Sequence, residues 1–530
     1  MKNIFKYLWA SAALLPFLTG CNSLDLESES TITDANYWKS DTHFSAFNVG
    51  LHAQLRERSY NFFILGEPRA DIYGDAPFGG EATQGMEIFP ANSLNRENVG
   101  LSNFANLYRV INQINLMIAK TEETGLLPEA TKKYYLGEAY GMRAFLYFHL
   151  LRSWGDVILH LTYTSGSTID LANIQKAASP ATEVMARIKE DITASETAFN
   201  GDYSYKYGKH YWSLGATKML KGEVYLWSGK QMGGGDADYR TAKGALQEVN
   251  NCPGIGLEDN FTNVFAYANK KNKEIIFTIH NGRDEYNMWG GTSFRNNLVP
   301  QQAYMTSGNY FDENGVSFAE TKDAELNGLI RLQIKKDFYD KVFREGDTRK
   351  AGSVKAVYVK EGEDLVYRAC FPYKFQGTML PGGSERAWLD DYPIYRYADC
   401  LLLLAEAKAL LGEDITTEIN TVRKRAYGET YFEANKATVA YPNEKGGEFY
   451  SGNPFVAGDD DPIETVLKER LRELMYEGKR WYDIRTLGCT AKYSTANQKR
   501  LLWPIDANTL TNNRELVQTE GYLTGGEGEE

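Results

Sequence analysis

The stretch from Thr131 to Trp154, TKKYYLGEAYGMRAFLYFHLLRSW, gives the clearest indication of the fold. Apolar residues recur at helical spacing along one face, and Leu136 and Tyr140 lie on the opposite face. A helix that is apolar on two sides is sandwiched between other helices. Small residues such as Gly141 alternate with bulky ones and let neighbouring helices approach closely. The stretch therefore predicts the central helix of a helical protein.

Helical periodicity continues on both sides of this stretch, and the predicted helices come in pairs. They cover Asn103–Glu122, Ser179 to about Phe199, Trp212–Ser228, Ala237–Val249, Tyr397–Leu411, Asp414–Ala426 and Glu464–Lys479. Between residues 251 and 390, short strand-like pieces alternate with loops rich in Gly, Asn and Asp. Successive helix pairs favour a tetratricopeptide-like stack, whose repeat is about 34 residues. We expect a mostly α fold: a helical-hairpin scaffold with a loop-rich ligand face and a few short strands.

The composition excludes several classes of protein. The chain has 530 residues, of which 13% are aromatic, a content that disordered chains lack. It has no series of apolar runs of about 20 residues, so it is not a polytopic membrane protein. Its net charge of −12 would repel a phosphate backbone, so no nucleic acid partner is expected.

The first twenty residues have the form of an export signal. Two lysines precede an apolar run from Leu8 to Leu18, which is too short to span a bilayer. The sequence LTGC that ends at Cys21 resembles the lipobox of bacterial lipoproteins, in which the cysteine is acylated. This resemblance implies lipidation at Cys21, with an ordinary signal and an incidental cysteine as the alternative. The acidic tether that follows is similar to those that send some lipoproteins to the cell surface.

No motif for catalysis or metal binding stands out. The sequence lacks a P-loop, HExxH, GxSxG, or GxGxxG after a strand, and its six histidines are scattered. The Asp459–Asp461 run has the chemistry for a hard cation such as Ca²⁺ but not the spacing of a calcium loop, which favours a solvated acidic loop. We expect no metal and no cofactor. Paired carboxylates of a glycoside hydrolase stay open, because 70 acidic residues offer too many pairs.

Loops that mix aromatic and polar residues are the candidates for ligand contact. Sugar rings pack a C–H face on Trp or Tyr, while their hydroxyls bond to Asn, Asp, Arg or Gln. Such loops occur at 69–78 and 284–297, with 304–310 as a third candidate. The predicted ligand residues are Arg69, Tyr73, Phe78, Trp289, Arg295 and Asn296. Trp289 is the first choice, because the glycines after it predict an exposed loop, although single aromatics more often serve packing.

The negative net charge of the chain sets a condition for binding an acidic ligand. In so acidic a chain, an acidic ligand needs a local cation, for which Arg69, Arg283 and Arg295 are candidates.

Several blocks of sequence, in the right order, resemble the SusD/RagB family of outer-membrane nutrient-binding lipoproteins. They are Tyr134–Phe148 with the Trp154-Gly155-Asp156 ending, Leu214–Leu226, Tyr392–Asp399, Leu404–Ala407, Ile419–Ala426, Glu469–Leu474, Glu477–Arg485, Leu502–Asp506 and Gln518–Tyr522. The proline that usually follows the ending is missing, since Val157-Ile158-Leu159 stands there. Together with Cys21, the blocks extend over nearly the whole chain.

The resemblance implies a non-catalytic protein, lipid-anchored in the outer membrane through acylated Cys21 and facing outward. Its partner would be a SusC-like TonB-dependent β-barrel transporter, to which it delivers a captured oligo- or polysaccharide. Surface glycoside hydrolase and peptide-binding lipoprotein are the alternatives. The glycan itself is left open between a neutral polysaccharide, a short oligosaccharide and a sialylated sugar. The family's binding residues vary, so the resemblance assigns none here.

We expect four segments. A signal peptide covers 1–20 and a lipidated tether covers 21–35. A SusD-like N-terminal region with helical hairpins covers 36–250, and a SusD/RagB C-terminal region covers 251–530. Because family blocks occur at both ends of the chain, the last two are expected to pack as one compact unit.

Overall fold

The computed structural model describes residues 37–75, 83–100, 104–165, 174–285, 288–289, 294–382, 386–446 and 458–523. The predicted signal peptide and tether, Cys21 and Phe78 lie outside the described residues. Within these ranges, no helix combines the length and the apolar character needed to cross a membrane.

Helices dominate the described residues, which confirms the mostly α prediction. The first seven are α1 (Asp41–Arg56), α2 (Ser59–Gly66), α3 (Phe104–Glu123), α4 (Glu129–Trp154), α5 (Ala181–Phe199), α6 (Leu214–Gln231) and α7 (Gly235–Glu248). Four short helices follow: α8 (Phe294–Leu298), α9 (Gln302–Met305), α10 (Lys336–Lys341) and α11 (Arg349–Ser353). The remainder are α12 (Tyr397–Leu410), α13 (Thr416–Tyr427), α14 (Glu429–Ala434), α15 (Lys436–Val439), α16 (Pro462–Leu474), α17 (Arg480–Thr486), α18 (Thr490–Tyr493) and α19 (Ala507–Asn512).

Helix α4 packs between α3 and α5, as its two apolar faces predict. Two of its glycines make the close approach possible. A Cβ atom on Gly141 would lie 2.0 Å from Nε1 of Trp212, and one on Gly137 would lie 2.8 Å from the ring of Phe199. Helices α5, α6 and α7 continue the stack in chain order. The successive pairs form the tetratricopeptide-like scaffold.

The strands in the described ranges form four separate two-stranded antiparallel sheets. They pair β1 (Tyr73–Asp75) with β3 (Gln333–Ile334), β2 (Ile275–Ile279) with β8 (Tyr392–Arg396), β4 (Val354–Glu361) with β5 (Asp364–Pro372), and β6 (Thr378–Met379) with β7 (Arg386–Ala387). Strands β2 and β4 lie within residues 251–390, where the sequence predicts short strand-like pieces. The small sheets pack against the helices and do not form a layer of their own.

The C-terminal helix predicted over 464–479 is shorter than predicted: α16 ends at Leu474, and a separate helix, α17, begins at Arg480. The chain between them turns through Tyr476 and Gly478, which have φ angles of +68° and +72°. Their backbone N–H groups both donate to the carboxylate of Glu67, which lies 409 residues before Tyr476. A local sequence pattern cannot reveal this break, because the group that satisfies the turn comes from the far end of the chain.

The charges of the C-terminal blocks lie inside the protein. Spacing along a single helix suggests the pairs Arg470–Glu473 and Glu477–Arg480, but the observed partners come from other elements. They are Arg470 with Asp399 and Asp483, Arg480 with Asp71, and Arg396 with both Glu473 and Glu477. These pairs tie α16 and α17 to β8, α12 and the segment before β1. One cluster of buried apolar side chains accompanies them, from Phe44 in α1 to Tyr522.

Candidate functional site

The first predicted ligand residue, Arg69, is buried. Its side chain is 1% exposed and its guanidinium donates to the backbone carbonyl oxygens of residues 500, 501 and 502. The guanidinium carbon also lies 4.6 Å from the ring centroid of Trp481. Carbonyl oxygens and an indole face therefore stabilise this charge inside the protein. Arg69 ties the C-terminal segment to the helices and presents no cation to solvent.

Tyr73 is likewise in the interior. It is 1% exposed, and its hydroxyl donates to Oε1 of Glu67 at 3.1 Å. Burial raises the pKa of Glu67 to about 7, although the N–H donors of Tyr476 and Gly478 oppose that rise. The Tyr73 hydroxyl is therefore hydrogen-bonded to the same carboxylate that binds the turn between α16 and α17.

The expectation that Trp289 is exposed is wrong. Its side chain is 1% exposed, and its Nε1 donates to the carbonyl oxygen of Asp390 at 2.8 Å. The ring centroid lies 5.1 Å from that of Phe375 and 5.4 Å from that of Phe294. Glycines in a sequence do not determine where the side chain before them points. The indole packs in the core.

Arg295 and Asn296 are half-buried in α8. The Arg295 guanidinium carbon lies 5.9 Å from the ring centroid of Trp388, and burial lowers the pKa of this arginine. The segment 328–332 runs beside α8, since the N–H of Leu329 donates to the carbonyl oxygen of Asn296 at 3.0 Å. That segment leads into β3, which pairs with β1. The two loops singled out by sequence, at 69–78 and 284–297, therefore meet through 328–334.

Ligand binding by these residues stays a prediction. Arg69, Tyr73 and Trp289 offer no exposed surface, so a direct contact would require a rearranged core. Arg295 and Asn296 keep some exposure, and Phe78 lies outside the described residues.

Only one aspartate of the acidic run at 459–461 departs from the predicted solvated loop, since Asp460 and Asp461 are exposed. Asp459 is buried and its carboxylate accepts two bonds from the guanidinium of Arg423, at 2.6 and 2.9 Å. Asp461 caps α16 by accepting from the N–H groups of Ile463 and Glu464. Across the described ranges, no group of three His, Cys, Asp or Glu side chains is placed to hold a metal ion.

A wide groove of about 880 Å³ runs along one face of α3 and is the better candidate for a ligand site. Its floor comes from residues spaced three and four apart on α3, and the segment 158–164 forms the opposite wall. The polar and aromatic residues that line it are Gln54, Tyr108, Arg109, Asn112, Gln113, His160, Thr162, Tyr163, Thr164 and Lys176. We call this cleft the α3 groove.

Asn112 fixes the wall of the α3 groove. Its Oδ1 accepts the N–H of Thr164 at 2.7 Å and lies 3.0 Å from Nε2 of His160, while its Nδ2 donates to the carbonyl oxygen of Thr164 at 3.1 Å. One turn later, Asn115 donates to the carbonyl oxygen of His160 at 2.8 Å. The hydroxyl of Tyr147 on α4 adds a further bond by accepting the N–H of His160 at 2.7 Å. These bonds satisfy backbone groups of a segment that has no strand partner, so the wall is held by side chains of α3 and α4.

The same geometry assigns the tautomer of His160. Because Asn112 Oδ1 already accepts one N–H and has no proton to give, the imidazole donates through Nε2. Burial, and secondarily the positive charge of Lys176, lower the pKa of His160. The ring is therefore neutral at pH 7.

The groove also presents an apolar surface. The rings of Tyr108 and Tyr163 line it, and both are half-buried. Ile174 adds an aliphatic side chain that is 54% exposed. Around these surfaces, the side-chain polar groups of Gln54 and Gln113 make no hydrogen bond to another of the described residues. Half-exposed rings beside unpaired amides suit a ligand with apolar faces and many hydroxyls.

A second groove of about 860 Å³, between α4 and α5, differs in chemistry. Its lining combines Glu129 and Glu190 with Lys133 and Lys189 and contains no aromatic ring. A site without a ring has no platform for a sugar face, so this groove is a weaker candidate for such a ligand.

Sequence reasoning missed the α3 groove for identifiable reasons. The apolar stripe of α3 predicts which face is buried, but the polar face carrying Tyr108, Arg109, Asn112 and Gln113 reads as ordinary solvent-facing surface. The wall at 158–164 has no periodicity. The available signal was the pair of asparagines, Asn112 and Asn115, whose side chains can bond to backbone groups of a neighbouring segment.

Comparisons with known proteins are consistent with one family over most of the chain. A family model described as "SusD family" matches residues 257–491, and one described as "Starch-binding associating with outer membrane" matches residues 24–213. SusD-like protein P38 of Formosa agariphila is 26% identical, over 96% of this chain and 97% of its own.

Solved structures give the same result. The B. fragilis protein NanU is 64% identical, with a TM-score of 0.89, over 94% of this chain and 100% of its own. A SusD superfamily protein from Bacteroides vulgatus is 60% identical, with a TM-score of 0.87, over 92% of this chain and 100% of its own.

Proposed function

This chain belongs to the SusD/RagB family, and from that premise we propose that it captures glycans at the outer membrane and delivers them to a transporter. Association with the outer membrane and carbohydrate binding are properties of the matched family. The observation that carries the proposal for this chain is the α3 groove, an open cleft that combines two tyrosine rings with amides that make no hydrogen bond to another described residue. In it, a sugar ring would lie on Tyr163 while its hydroxyls bond to Gln54 and Gln113.

We propose that capture occurs without catalysis. The family is carbohydrate-binding, and the histidine that lines the groove has a pKa lowered by burial and an Nε2 proton already donated to Asn112. It is therefore poorly placed to transfer a proton to a substrate. No carboxylate lines the groove within the described part of the chain, so the pair of acids that glycoside hydrolysis requires is not found there.

The proposal also includes a lipid anchor at Cys21 and a transporter partner. Acylated Cys21 would hold the protein in the outer membrane through the tether at 21–35, with the regions 36–250 and 251–530 acting as one unit outside the cell. A SusC-like TonB-dependent β-barrel would receive the glycan. The order of signal, cysteine and tether in the sequence supports the anchor, and family membership supports the partner.

The test of binding uses the mature chain carrying Cys21→Ala on a glycan array. We expect retention of at least one glycan class, and its loss in Tyr163→Ala. Retention of no glycan, together with binding to a peptide array, would replace the proposal with the peptide-binding alternative. New reducing ends released from a bound glycan would instead indicate a glycoside hydrolase.

Delivery is tested separately. An affinity tag at the C-terminus of the full, acylated chain should co-purify a TonB-dependent β-barrel from detergent-solubilised outer membranes of the native host. Recovery of the tagged protein without such a barrel, in a detergent that preserves other membrane complexes, would contradict delivery to a transporter.

A further inference from the structure

Glu138 on α4 is a buried acid without a cation beside it. Its side chain is 0% exposed, and it forms no ion pair with another of the described residues. The buried carboxylates of Glu469 and Glu473, by contrast, each contact several arginines. An ionised carboxylate is costly to bury unless it is paired. The surroundings of Glu138 therefore disfavour a negative charge.

The polar partner of Glu138 is Asn48 on α1. The amide Nδ2 of Asn48 donates to Oε2 of Glu138 at 2.8 Å. The other two oxygens, Oδ1 of Asn48 and Oε1 of Glu138, are buried, and neither has a hydrogen-bond donor among the described residues. Buried polar atoms are normally satisfied, so two orphaned acceptors beside one good bond need an explanation. A proton on Oε1 supplies it, because a carboxylic acid and a primary amide can exchange two hydrogen bonds.

No neighbouring group supplies a counter-charge by direct contact. The titratable groups around the pair are His52 on α1, Tyr134 on α4, and Lys206, Tyr207 and Tyr211 on the segment between α5 and α6. The ammonium of Lys206 lies 4.9 Å from the ring centroid of Tyr134 and makes no ion pair with Glu138. Burial raises the pKa of Glu138 well above its ordinary value, although the bond from Asn48 and the charge of Lys206 oppose the rise.

His52, one turn after Asn48 on α1, adds no positive charge. Its Nε2 accepts the N–H of Trp212 at 3.0 Å, so the ring proton is on Nδ1, which lies 2.9 Å from the carbonyl oxygen of Asn48. Burial lowers the pKa of His52 to about 4, although that carbonyl oxygen opposes the change and the charge of Arg56 adds to it. The imidazole is therefore neutral at pH 7.

We propose that Glu138 is a protonated carboxylic acid in the folded protein, and that its two-bond pair with Asn48 is a pH-sensitive latch that holds α1 on α4. Oε1 of Glu138 donates its proton to Oδ1 of Asn48, while Nδ2 of Asn48 donates to Oε2. Loss of that proton to solvent breaks the first bond and leaves two acceptor oxygens facing each other. It also places a charge in the interior, so α1 is held less firmly.

The latch acts on a helix that joins two functional parts of the protein. Helix α1 begins at Asp41, shortly after the predicted tether at 21–35, and it packs against α3. Its residue Gln54 lines the α3 groove. A change in how firmly α1 is held therefore reaches both the attachment of the tether and one wall of the groove. Alkaline pH is the condition that weakens this attachment.

The protonation state is tested by infrared difference spectroscopy on the mature chain with Cys21→Ala. The carbonyl stretch of a protonated carboxyl group is separate from the bands of a carboxylate. We expect one such band in the parent protein at pH 7 that is missing from Glu138→Gln. If the glutamine variant fails to fold, Asn48→Leu serves instead: it keeps the acid, removes its partner, and should shift the band to that of a carboxyl group without a hydrogen bond.

The latch itself is tested by hydrogen exchange in α1 as a function of pH. Because the folded pKa is raised, the stabilising contribution of Glu138 is fully present below its ordinary pKa of 4.5 and is lost as pH rises toward the folded pKa. Corrected for intrinsic exchange, the opening constant of α1 in the parent should rise by about tenfold per pH unit relative to Glu138→Gln, between about pH 5 and 7. Glutamine keeps both hydrogen bonds with Asn48, so Glu138→Gln should also match the melting temperature of the parent at pH 5.

Glu122→Gln is the matched control. Glu122 is an exposed acid on α3 that accepts a hydrogen bond from the hydroxyl of Tyr140 at 2.6 Å. This variant should keep both the carboxylic acid band and the pH dependence of α1. A loss of either feature in Glu122→Gln would mean that the feature does not report Glu138, and would overturn the inference.

Two further results would contradict the latch. A band that persists unchanged in Glu138→Gln would mean that Glu138 is ionised and that water satisfies its orphaned oxygen. A band that disappears while α1 exchanges with the same pH dependence in both proteins would leave a neutral acid that does not control α1. None of these measurements uses a glycan, so a failed latch leaves the proposed function standing, and an empty glycan array leaves the latch standing.

Discussion

At Arg69, Tyr73 and Trp289, aromatic and basic side chains point into the protein, whereas along the α3 groove the same residue types border solvent. The first region belongs to loops rich in Gly, Asp and Asn, and its side chains are held by carbonyl oxygens, a buried carboxylate and other rings. The second region lies on a regular helix, and two asparagines hold its wall. Residue type therefore predicts which interactions a side chain can make, but not whether it points into the protein or toward solvent. A helix can carry the recognition surface while a loop carries the packing.

The largest expected effect follows from Trp289→Ala. The indole is buried against Phe294 and Phe375, so its removal should lower the free energy of unfolding by about 3–5 kcal/mol. Chemical denaturation monitored by circular dichroism measures this. The same truncation at half-buried Tyr163 should cost about 1 kcal/mol or less. A Trp289→Ala protein as stable as the wild type would mean that the indole is not part of the core.

The pH dependence of stability gives a second distinction. Because burial raises the pKa of Glu67 to about 7, its carboxyl favours the protonated form in the folded protein. Its contribution is fully present below the unfolded pKa of about 4.5 and is lost as pH rises through about 7. We expect this group to lower the free energy of unfolding by up to about 3 kcal/mol between pH 5 and 8.

The control for this prediction is Glu67→Gln. It should flatten that part of the pH profile, even though it also weakens the turn that Glu67 holds at Tyr476 and Gly478. An identical slope in the wild type and in Glu67→Gln would assign the pH dependence to other groups.

A smaller and more local effect is expected at Asn112→Ala. The change removes the bonds between α3 and Thr164, so the wall at 158–164 should loosen while the scaffold stays folded. Hydrogen exchange at the amide of Thr164 should accelerate by about tenfold or more, for a bond worth roughly 1–1.5 kcal/mol. Gln113→Ala, one residue away on α3, should leave that amide protected. Equal protection in both variants would show that something else holds the wall.

The extent to which sequence predicts this structure follows from the range of the interactions. Helices such as α4 are predictable, because their periodicity and their small residues at Gly137 and Gly141 are local. The break between α16 and α17 is not, since Glu67 creates it from across the chain. The family could be recognised from blocks that build the scaffold. The groove could not, because its wall has no pattern of its own and depends on Asn112.

The most direct test is calorimetric titration of a glycan that the wild type retains on the array, carried out on Tyr163→Ala and Trp289→Phe with melting temperature measured alongside. If the α3 groove is the glycan site, Tyr163→Ala weakens affinity by about tenfold at an unchanged melting temperature, corresponding to about 1.4 kcal/mol. Trp289→Phe then lowers the melting temperature and keeps the affinity. Unchanged affinity in Tyr163→Ala, with loss in a folded Trp289→Phe, would contradict the account and return the ligand to the loops at 284–297.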